Sequence, residues 1–237
     1  LERMGFSYLN KKVLVPSYRV DILHQIDLVE DIAIAYGYEN FIPTLSDFGS
    51  IAEENKFETF KNKIAEILIG LNFIETNTFN ITNEINHNKK MDMDMPFVKL
   101  KNALTEDYNI LRSWLLPSSL EVLSKNKHNE YPQKIFEISE VFKKDFTEST
   151  HLSVLISSSS TTFTDIKQVL DALFSALDIK YEIKESSHPS FIEGRIGLAS
   201  FKGKEIAGIG EISPQVIENW QLENPVSSLV LNLTKLY

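Results

Sequence analysis

Apolar residues recur every three or four positions in several stretches of the chain, the spacing that gathers them on one face of an α-helix. This pattern predicts helices over residues 26–36, 54–71 and 164–179 and within residues 111–129. Gly37 is placed to end the first of these helices, because glycine readily adopts the conformation of a helix C-terminus. Pro117 falls in the first turn of the helix within 111–129, where its missing N–H costs no hydrogen bond. Thr164 or Asp165 is predicted to cap the last helix.

Strand-forming residues fill much of the chain between these helices. Their β-branched and aromatic side chains, in places alternating with polar ones, predict strands over residues 15–20, 73–79, 97–100, 133–142, 151–159, 181–185, 195–201, 205–212 and 227–233. Ser213 and Pro214 are suited to begin a short helix. Residues 44–51 predict a connection, and the polar residues 87–95 predict a surface loop. Together, these elements predict an α+β domain with a mostly antiparallel sheet.

Four carboxylates lie close together near the start of the chain. Asp27, Glu30 and Asp31 fall at positions i, i+3 and i+4 of the first predicted helix, so their side chains share one face. Asp21 ends the predicted strand before this helix, from which it could fold over the same face. Such oxygen ligands suit a hard cation such as magnesium. The spacing is equally typical of a solvated acidic first turn that complements the helix dipole, and it leaves both interpretations open.

The composition is that of an ordinary soluble globular protein, with 237 residues, 43% of them hydrophobic and 24% charged. No stretch is long and apolar enough to predict a membrane span. The absence of cysteine excludes disulfides and thiolate metal sites and fits a cytoplasmic protein. Because the first residue is a leucine, we expect a piece of a longer protein. The net charge of −9 argues against a broad nucleic-acid surface, which requires clustered basic residues.

Five segments of the chain carry a resemblance to a known family. They are PSYRVDILHQIDLVEDIAIAYGYENF, LRSWLLPSSLEVLSKNK, KIFEISEVF, HPSFIEGRIG and GIGEISPQVIENWQLENPV. In this order they resemble the β subunits of phenylalanine–tRNA ligase, most closely those of the archaeal or eukaryotic type. A single motif such as GIGEI would be a weak signal, whereas five segments in one order cover nearly the whole chain.

The resemblance implies a chain of two parts. Residues 1–45 would be the C-terminal part of a small helical or winged metal-binding domain, followed by a linker. Residues 46–237 would be a catalytic-like class II aminoacyl-tRNA synthetase module, an antiparallel sheet flanked by helices. The resemblance also implies a magnesium site, which favours the metal interpretation of the acidic residues. Its ligands would be Asp21, Asp27, Glu30 and Asp31. The implied partners are the catalytic α subunit, in an α2β2 heterotetramer that uses ATP through the α subunit, and tRNA.

The arginines argue against catalysis by this chain. Aminoacyl adenylate formation needs cations around the ATP phosphates, and only Arg112 and Arg195 lie in residues 46–237. We predict that Arg112 forms a structural salt bridge with Glu137, and that His188 belongs to a turn entering a strand. We therefore expect no catalytic or nucleotide-binding residue, and the resemblance then implies a noncatalytic scaffold role in aminoacylation of tRNA with phenylalanine. The alternatives are a self-sufficient class II ligase domain and a stand-alone interaction module.

Overall fold

The chain divides into two compact units, residues 1–53 and residues 54–237. The computed structural model describes every residue except Asp47, Phe48 and Ser50. The predicted connection over residues 44–51 therefore lies partly outside the described residues. Within the described part of the chain, no helix combines the length and apolar character needed to cross a membrane.

The first unit contains a short hairpin and one longer helix. Strands β1 (Ser7–Leu9) and β2 (Lys12–Leu14) pair in antiparallel fashion. The two residues between them, Asn10 and Lys11, have φ angles of 50° and 60°. Two successive positive φ angles give the mirror-image turn whose twist matches that of a two-residue hairpin.

Helix α1 (Gln25–Tyr36) confirms the first predicted helix. It begins after His24, whose Nδ1 accepts the Ile26 N–H at 3.2 Å, and ends at Gly37, which has a φ of 94°. The predicted strand over residues 15–20 is wrong, because this segment forms a turn in which the Arg19 N–H donates to the Pro16 carbonyl at 3.0 Å. Pro16 lacks an N–H to donate to a strand ladder, which disfavours a strand at this position.

The second unit is built on a seven-stranded sheet. Its strands, numbered along the chain, are β3 (Ile74–Glu75), β4 (Ile81–Thr82), β5 (Val98–Lys99), β6 (Ile110–Leu111), β7 (Gln133–Phe142), β8 (Glu148–Ser157), β9 (Glu182–Glu185), β10 (Phe191–Phe201), β11 (Lys204–Ile212) and β12 (Val226–Asn232). The large sheet has the order β3-β7-β8-β12-β11-β10-β9, and only β3 and β7 are parallel neighbours in it. This arrangement confirms the mostly antiparallel sheet. Strands β4, β6 and β5 form a separate three-stranded sheet.

Helices cover both faces of the large sheet. They are α2 (Lys56–Gly70), α3 (Glu84–His87), α4 (Leu116–Lys125), α5 (Phe163–Ala176), α6 (Pro214–Asn219) and α7 (Leu233–Leu236). On one face, α2, α5 and α7 form an apolar cluster that includes Leu170 and Phe136. On the other face, α4 and α6 form a second cluster that includes Leu120, Leu155 and Trp220. Both faces of a sheet become buried in this way because successive side chains along a strand point to opposite sides.

Two predicted segments of the second unit differ from the structure. The strand predicted over residues 73–79 is reduced to β3, because the chain beyond it turns its polar side chains toward a buried arginine. The loop predicted over residues 87–95 includes a 3-10 turn at Lys89–Met91. Met91 is fully buried there, and its Sδ accepts the indole N–H of Trp220 at 3.3 Å. Methionine adapts to irregular core gaps, which explains how a polar segment supplies a core residue.

The N-cap of α5 also differs from the prediction. Thr162 caps the helix instead of Thr164 or Asp165. Asp165 is the third residue of α5, and its carboxylate accepts the Thr162 N–H at 2.7 Å. This is a capping box, in which the cap and the third helical residue satisfy each other's backbone N–H groups. The other predicted helices and strands of the second unit are confirmed, with shifted ends.

Candidate functional site

The predicted acidic cluster is organised around Arg19 in the first unit. Its guanidinium donates to both carboxylate oxygens of Asp21, with Nε–Oδ1 at 2.9 Å and Nη2–Oδ2 at 2.7 Å. The same Nη2 donates to Asp31 Oδ2 at 2.8 Å, so one arginine joins the turn before α1 to the helix itself. Arg19 also packs on the ring of Phe6, with Cζ 5.1 Å from the ring centroid, a cation–π contact.

Asp27 has a different environment on the same helix. Its Oδ2 accepts the backbone N–H groups of Leu23 and His24, each at 2.8 Å. These bonds favour the ionised carboxylate, so the pKa of Asp27 lies below its ordinary value. The pKa of Asp21 is lowered as well, first by its hydrogen bonds from Arg19. Glu30 lies exposed on α1.

The four carboxylates as placed do not fit a magnesium ion. In residues 1–46, 49 and 51–237, no group of three or more acidic or histidine side chains lies close enough together to hold a metal. The structure brings Asp21 and Asp31 together, but around a guanidinium that already donates to both oxygens of Asp21 and to Oδ2 of Asp31. Asp27 is engaged at the helix N-terminus. The magnesium site stays a prediction.

A second polar cluster is buried in the second unit, around Arg112. Nη1 of Arg112 lies 3.0 Å from Glu137 Oε1, and the two side chains are 0% and 1% exposed. The guanidinium makes four further hydrogen bonds, to Thr78 Oγ1, Asn80 Oδ1, Ser139 Oγ and the Glu140 carbonyl. Five acceptors match the five N–H donors of an arginine, so none remains for an external ligand. Burial lowers the pKa of Arg112, and the charge of Glu137 opposes this effect.

The Arg112 cluster confirms the predicted structural salt bridge with Glu137. Its other members, Thr78, Asn80 and Ser139, were not predicted from the sequence. The strand pattern contained a signal for one of them, because Ser139 follows Glu137 by two residues in β7 and therefore shares its face. Thr78 and Asn80 come from the segment between β3 and β4 and gave no such signal. The cluster ties that segment to the large sheet.

Arg195 and His188 lie in separate environments of the second unit. Arg195 Nη1 donates to Glu211 Oε2 at 2.6 Å, beside a cavity of about 660 Å³. Glu211 Oε1 accepts the Phe163 N–H at 2.8 Å, so this carboxylate also anchors the start of α5. His188 is part of a turn, in which the Phe191 N–H donates to its carbonyl at 3.0 Å, and its ring packs on Trp114. The predicted turn at His188 is confirmed.

Comparison with known proteins places these features in a family. Residues 42–233 match the family model of the phenylalanyl tRNA synthetase beta chain CLM domain, and residues 1–38 match that of the tRNA synthetase B5 domain. The phenylalanine–tRNA ligase beta subunit of Pyrococcus abyssi is 40% identical, covering 100% of this chain and 45% of that protein. The beta subunit of Archaeoglobus fulgidus is 36% identical, with the same two coverages of 100% and 45%. The chain thus spans less than half the length of these relatives.

The fold has counterparts among solved structures. The crystal structure of pyrrolysyl-tRNA synthetase from Desulfitobacterium hafniense superposes with a TM-score of 0.65 at 18% identity, covering 76% of this chain and 68% of that one. At this identity the likeness concerns the fold alone, and it supports the synthetase-like sheet flanked by helices. Since the family model of the CLM domain covers most of the chain, the chain belongs to the family of phenylalanyl-tRNA synthetase beta chains.

Proposed function

We propose that this chain is a noncatalytic part of a phenylalanine–tRNA ligase, which supports aminoacylation of tRNA with phenylalanine while another subunit forms the new bonds. Membership of the family supports a role in this reaction. The burial of Arg112 supports the absence of catalysis in this chain. The proposal rests mainly on Arg112, which is completely buried in a network of five hydrogen bonds.

The chemistry of adenylate formation explains why Arg112 matters. The reaction develops negative charge on the ATP phosphates, which an enzyme stabilises with preorganised cations. The second unit has two arginines, of which Arg112 is inaccessible and Arg195 is paired with Glu211. Moreover, the sheet face beneath α4 and α6 is filled with apolar side chains around Trp220. We therefore assign ATP binding and bond formation to a separate catalytic α subunit.

The proposed assembly is an α2β2 heterotetramer in the cytoplasm, in which tRNA binds to the complete enzyme. We further propose that the first unit belongs to a small domain of helical or winged type that holds magnesium. The ligands would be the carboxylate oxygens of Asp21, Asp27, Glu30 and Asp31, after a local rearrangement of Arg19. When bound, the ion would supply positive charge to these carboxylates.

Phenylalanine-dependent exchange between ATP and pyrophosphate tests the proposal. We expect no exchange above background with the full-length β subunit alone, and robust exchange once the cognate α subunit is added. Size-exclusion chromatography of the mixture should show a complex of both subunits. Robust exchange by the β subunit alone would instead identify a self-sufficient ligase. Failure to associate with the α subunit would favour a stand-alone interaction module.

A further inference from the structure

Arg195 belongs to a bulge in β10. Residues 192–195 of this strand lie opposite the single residue Glu211 of β11, so the regular ladder is interrupted there. Gly194 within the bulge has a φ of 74°, in the left-handed region that favours glycine. A Cβ atom on Gly210 would lie only 2.8 Å from the Arg195 carbonyl oxygen, so a larger residue there would displace the bulge. Bulges of this kind re-aim a side chain and are common beside binding and active sites.

The guanidinium of Arg195 has unused hydrogen-bond donors. Its Nη1 donates to Glu211 Oε2 at 2.6 Å, and Glu211 is itself held by the Phe163 N–H. In the part of the chain that the structure describes, no other group accepts a bond from this guanidinium, whereas Arg112 uses all five of its N–H groups. The Arg195 side chain is 59% exposed. Its planar fork can therefore receive a carboxylate and keep its bond to Glu211.

The cavity beside Arg195 has both apolar and acidic walls. Its volume of about 660 Å³ is in the range typical of small-molecule sites. Glu218 of α6 and Glu223 of the loop after it contribute two exposed carboxylates. Within the described ranges, neither forms an ion pair with a basic side chain. The apolar part of the lining consists of Ile192, Ile212, Pro214, Ile217, Leu222 and Pro225.

These charges favour a ligand that carries both signs. A molecule with a carboxylate alone would bind Arg195 but would be repelled by Glu218 and Glu223. A molecule with an ammonium group alone would leave the donors of Arg195 unused. An α-amino acid carries both groups on one carbon atom, and an apolar side chain on that carbon gains free energy when it leaves water for the apolar walls.

We propose that this cavity binds a free α-amino acid with an apolar side chain. The carboxylate of the ligand accepts hydrogen bonds from Arg195, and its ammonium group donates to Glu218 or Glu223. Its side chain packs against the apolar walls beside Ile212 and Ile217. Binding changes no covalent bond, and it does not depend on the role in aminoacylation proposed above.

Equilibrium dialysis of the full-length protein with radiolabelled L-leucine tests this site. Leucine has an apolar side chain and is not the proposed substrate of the complete enzyme. We expect saturable binding, weakened about tenfold in Arg195→Gln, the change expected for loss of one charge-assisted hydrogen bond. The control is Lys204→Gln, which removes a positive charge from an exposed position of β11 and should bind leucine like the wild type.

Leucine analogues test each part of the ligand by competition. N-acetyl-L-leucine lacks the positive charge, L-leucinamide lacks the carboxylate and glycine lacks the apolar side chain. Each should compete with labelled leucine about tenfold less well than leucine itself. A double variant with Glu218→Gln and Glu223→Gln should bind leucine more weakly and leave the affinity for N-acetyl-L-leucine unchanged.

Several outcomes would overturn the proposal. They are the absence of saturable leucine binding, equal leucine binding in the wild type and Arg195→Gln, and competition by any of the three analogues as strong as that by leucine. If Arg195→Gln does not fold, the double variant decides, because Glu218 and Glu223 are exposed, and an unchanged leucine affinity would then overturn the proposal. Exchange between ATP and pyrophosphate is measured separately, so failure at this cavity is distinguishable from failure of the proposed function.

Discussion

The two units of the chain are stabilised in different ways. The second unit buries one apolar cluster on each face of its large sheet. Among residues 1–46, by contrast, Phe6 and the charged Asp31 are the buried side chains. Helix α1 leaves most of its apolar residues exposed, including Ile26 and Val29. The first unit therefore relies on polar contacts, of which the bonds of Arg19 and the helix cap are the clearest examples.

This difference indicates how each unit responds to change. Apolar burial contributes roughly 25 cal/mol per Å², so a two-sided core can stabilise the second unit as one cooperative body. A unit with little buried apolar surface opens locally at low cost, and its stability depends on individual hydrogen bonds. Large exposed apolar surfaces such as that of α1 are typical of sites that another polypeptide covers. Both tryptophans, Trp114 and Trp220, lie in the second unit, so their fluorescence reports its unfolding alone.

The largest expected effect comes from the buried arginine. Arg112→Ala should destabilise the second unit by about 3–5 kcal/mol, because it leaves Glu137 as an uncompensated buried charge. The matched control is Arg195→Ala, which also removes an arginine from a pair with a glutamate. Arg195 is 59% exposed, so its loss should cost about 1 kcal/mol or less. Urea unfolding followed by tryptophan fluorescence measures both, and equal effects would contradict the structural role of the Arg112 cluster.

A comparison of two leucine-sized side chains sharpens the contrast between the units. Leu120 is a fully buried residue of α4, so Leu120→Ala should cost about 2–5 kcal/mol through lost burial and the cavity left behind. Ile32 is 46% exposed on α1, and Ile32→Ala should change stability by about 0.5 kcal/mol or less in this chain. Thermal unfolding of both variants is the measurement. A large effect of Ile32→Ala would show that α1 has a buried partner.

The sequence predicted the second unit better than the first for the same physical reason. Periodic apolar residues mark elements that pack into a core, which is why α2, α5 and the long strands were found. The strand predicted over residues 15–20 failed because the strand-forming residues around Pro16 were given more weight than the proline, which lacks the N–H that a strand ladder needs. The fully buried Met91 was missed because its neighbours are polar and short-range periodicity does not show long-range packing. Tertiary contacts decided the case of Met91, whereas the turn at Pro16 is local.

The two candidate sites also differ in how much of each could be predicted from the sequence. The pairing of Arg112 with Glu137 was predicted, although only Glu137 lies in a regular element, strand β7, and Arg112 follows β6 in the connection to α4. The acidic residues of the first unit could be identified by spacing, but spacing did not reveal that Arg19 lies between Asp21 and Asp31. That arrangement depends on the turn before α1, which has no periodic pattern. Spacing alone thus could not distinguish a cluster neutralised by an arginine of the chain from one that binds a metal ion.

The pH dependence of stability should come mainly from buried histidines of the second unit. Burial lowers the pKa of His151 from 6.5 to about 4, aided by the charges of Lys235 and Lys143. Between these values the unfolded chain binds a proton that the folded chain rejects, so stability falls as the pH drops from 6.5 to 4. The loss from His151 should be about 2–3 kcal/mol, reduced from the full shift by its partial exposure.

Urea unfolding at a series of pH values, compared between variants, tests the role of His151. His151→Gln should flatten the dependence between pH 6.5 and 4. Part of the dependence should remain, because burial also lowers the pKa of His87, whose Nε2 accepts the Ser113 N–H at 3.0 Å. His128→Gln is the control, because His128 is exposed in the same unit. An unchanged profile in His151→Gln would mean that other groups govern the acid sensitivity.

The smallest effect should appear in the first unit, as a response to salt. The Asp21 side chain is 59% exposed, so its contact with Arg19 is accessible to screening ions, whereas the Arg112 pair is not. Raising the sodium chloride concentration should therefore speed hydrogen exchange in α1 severalfold and leave exchange in β8 unchanged. Arg19→Gln should remove most of this salt response, because the screened contact is then absent. Equal salt responses in α1 and β8 would show that the ionic contacts of Arg19 do not distinguish the first unit from the second.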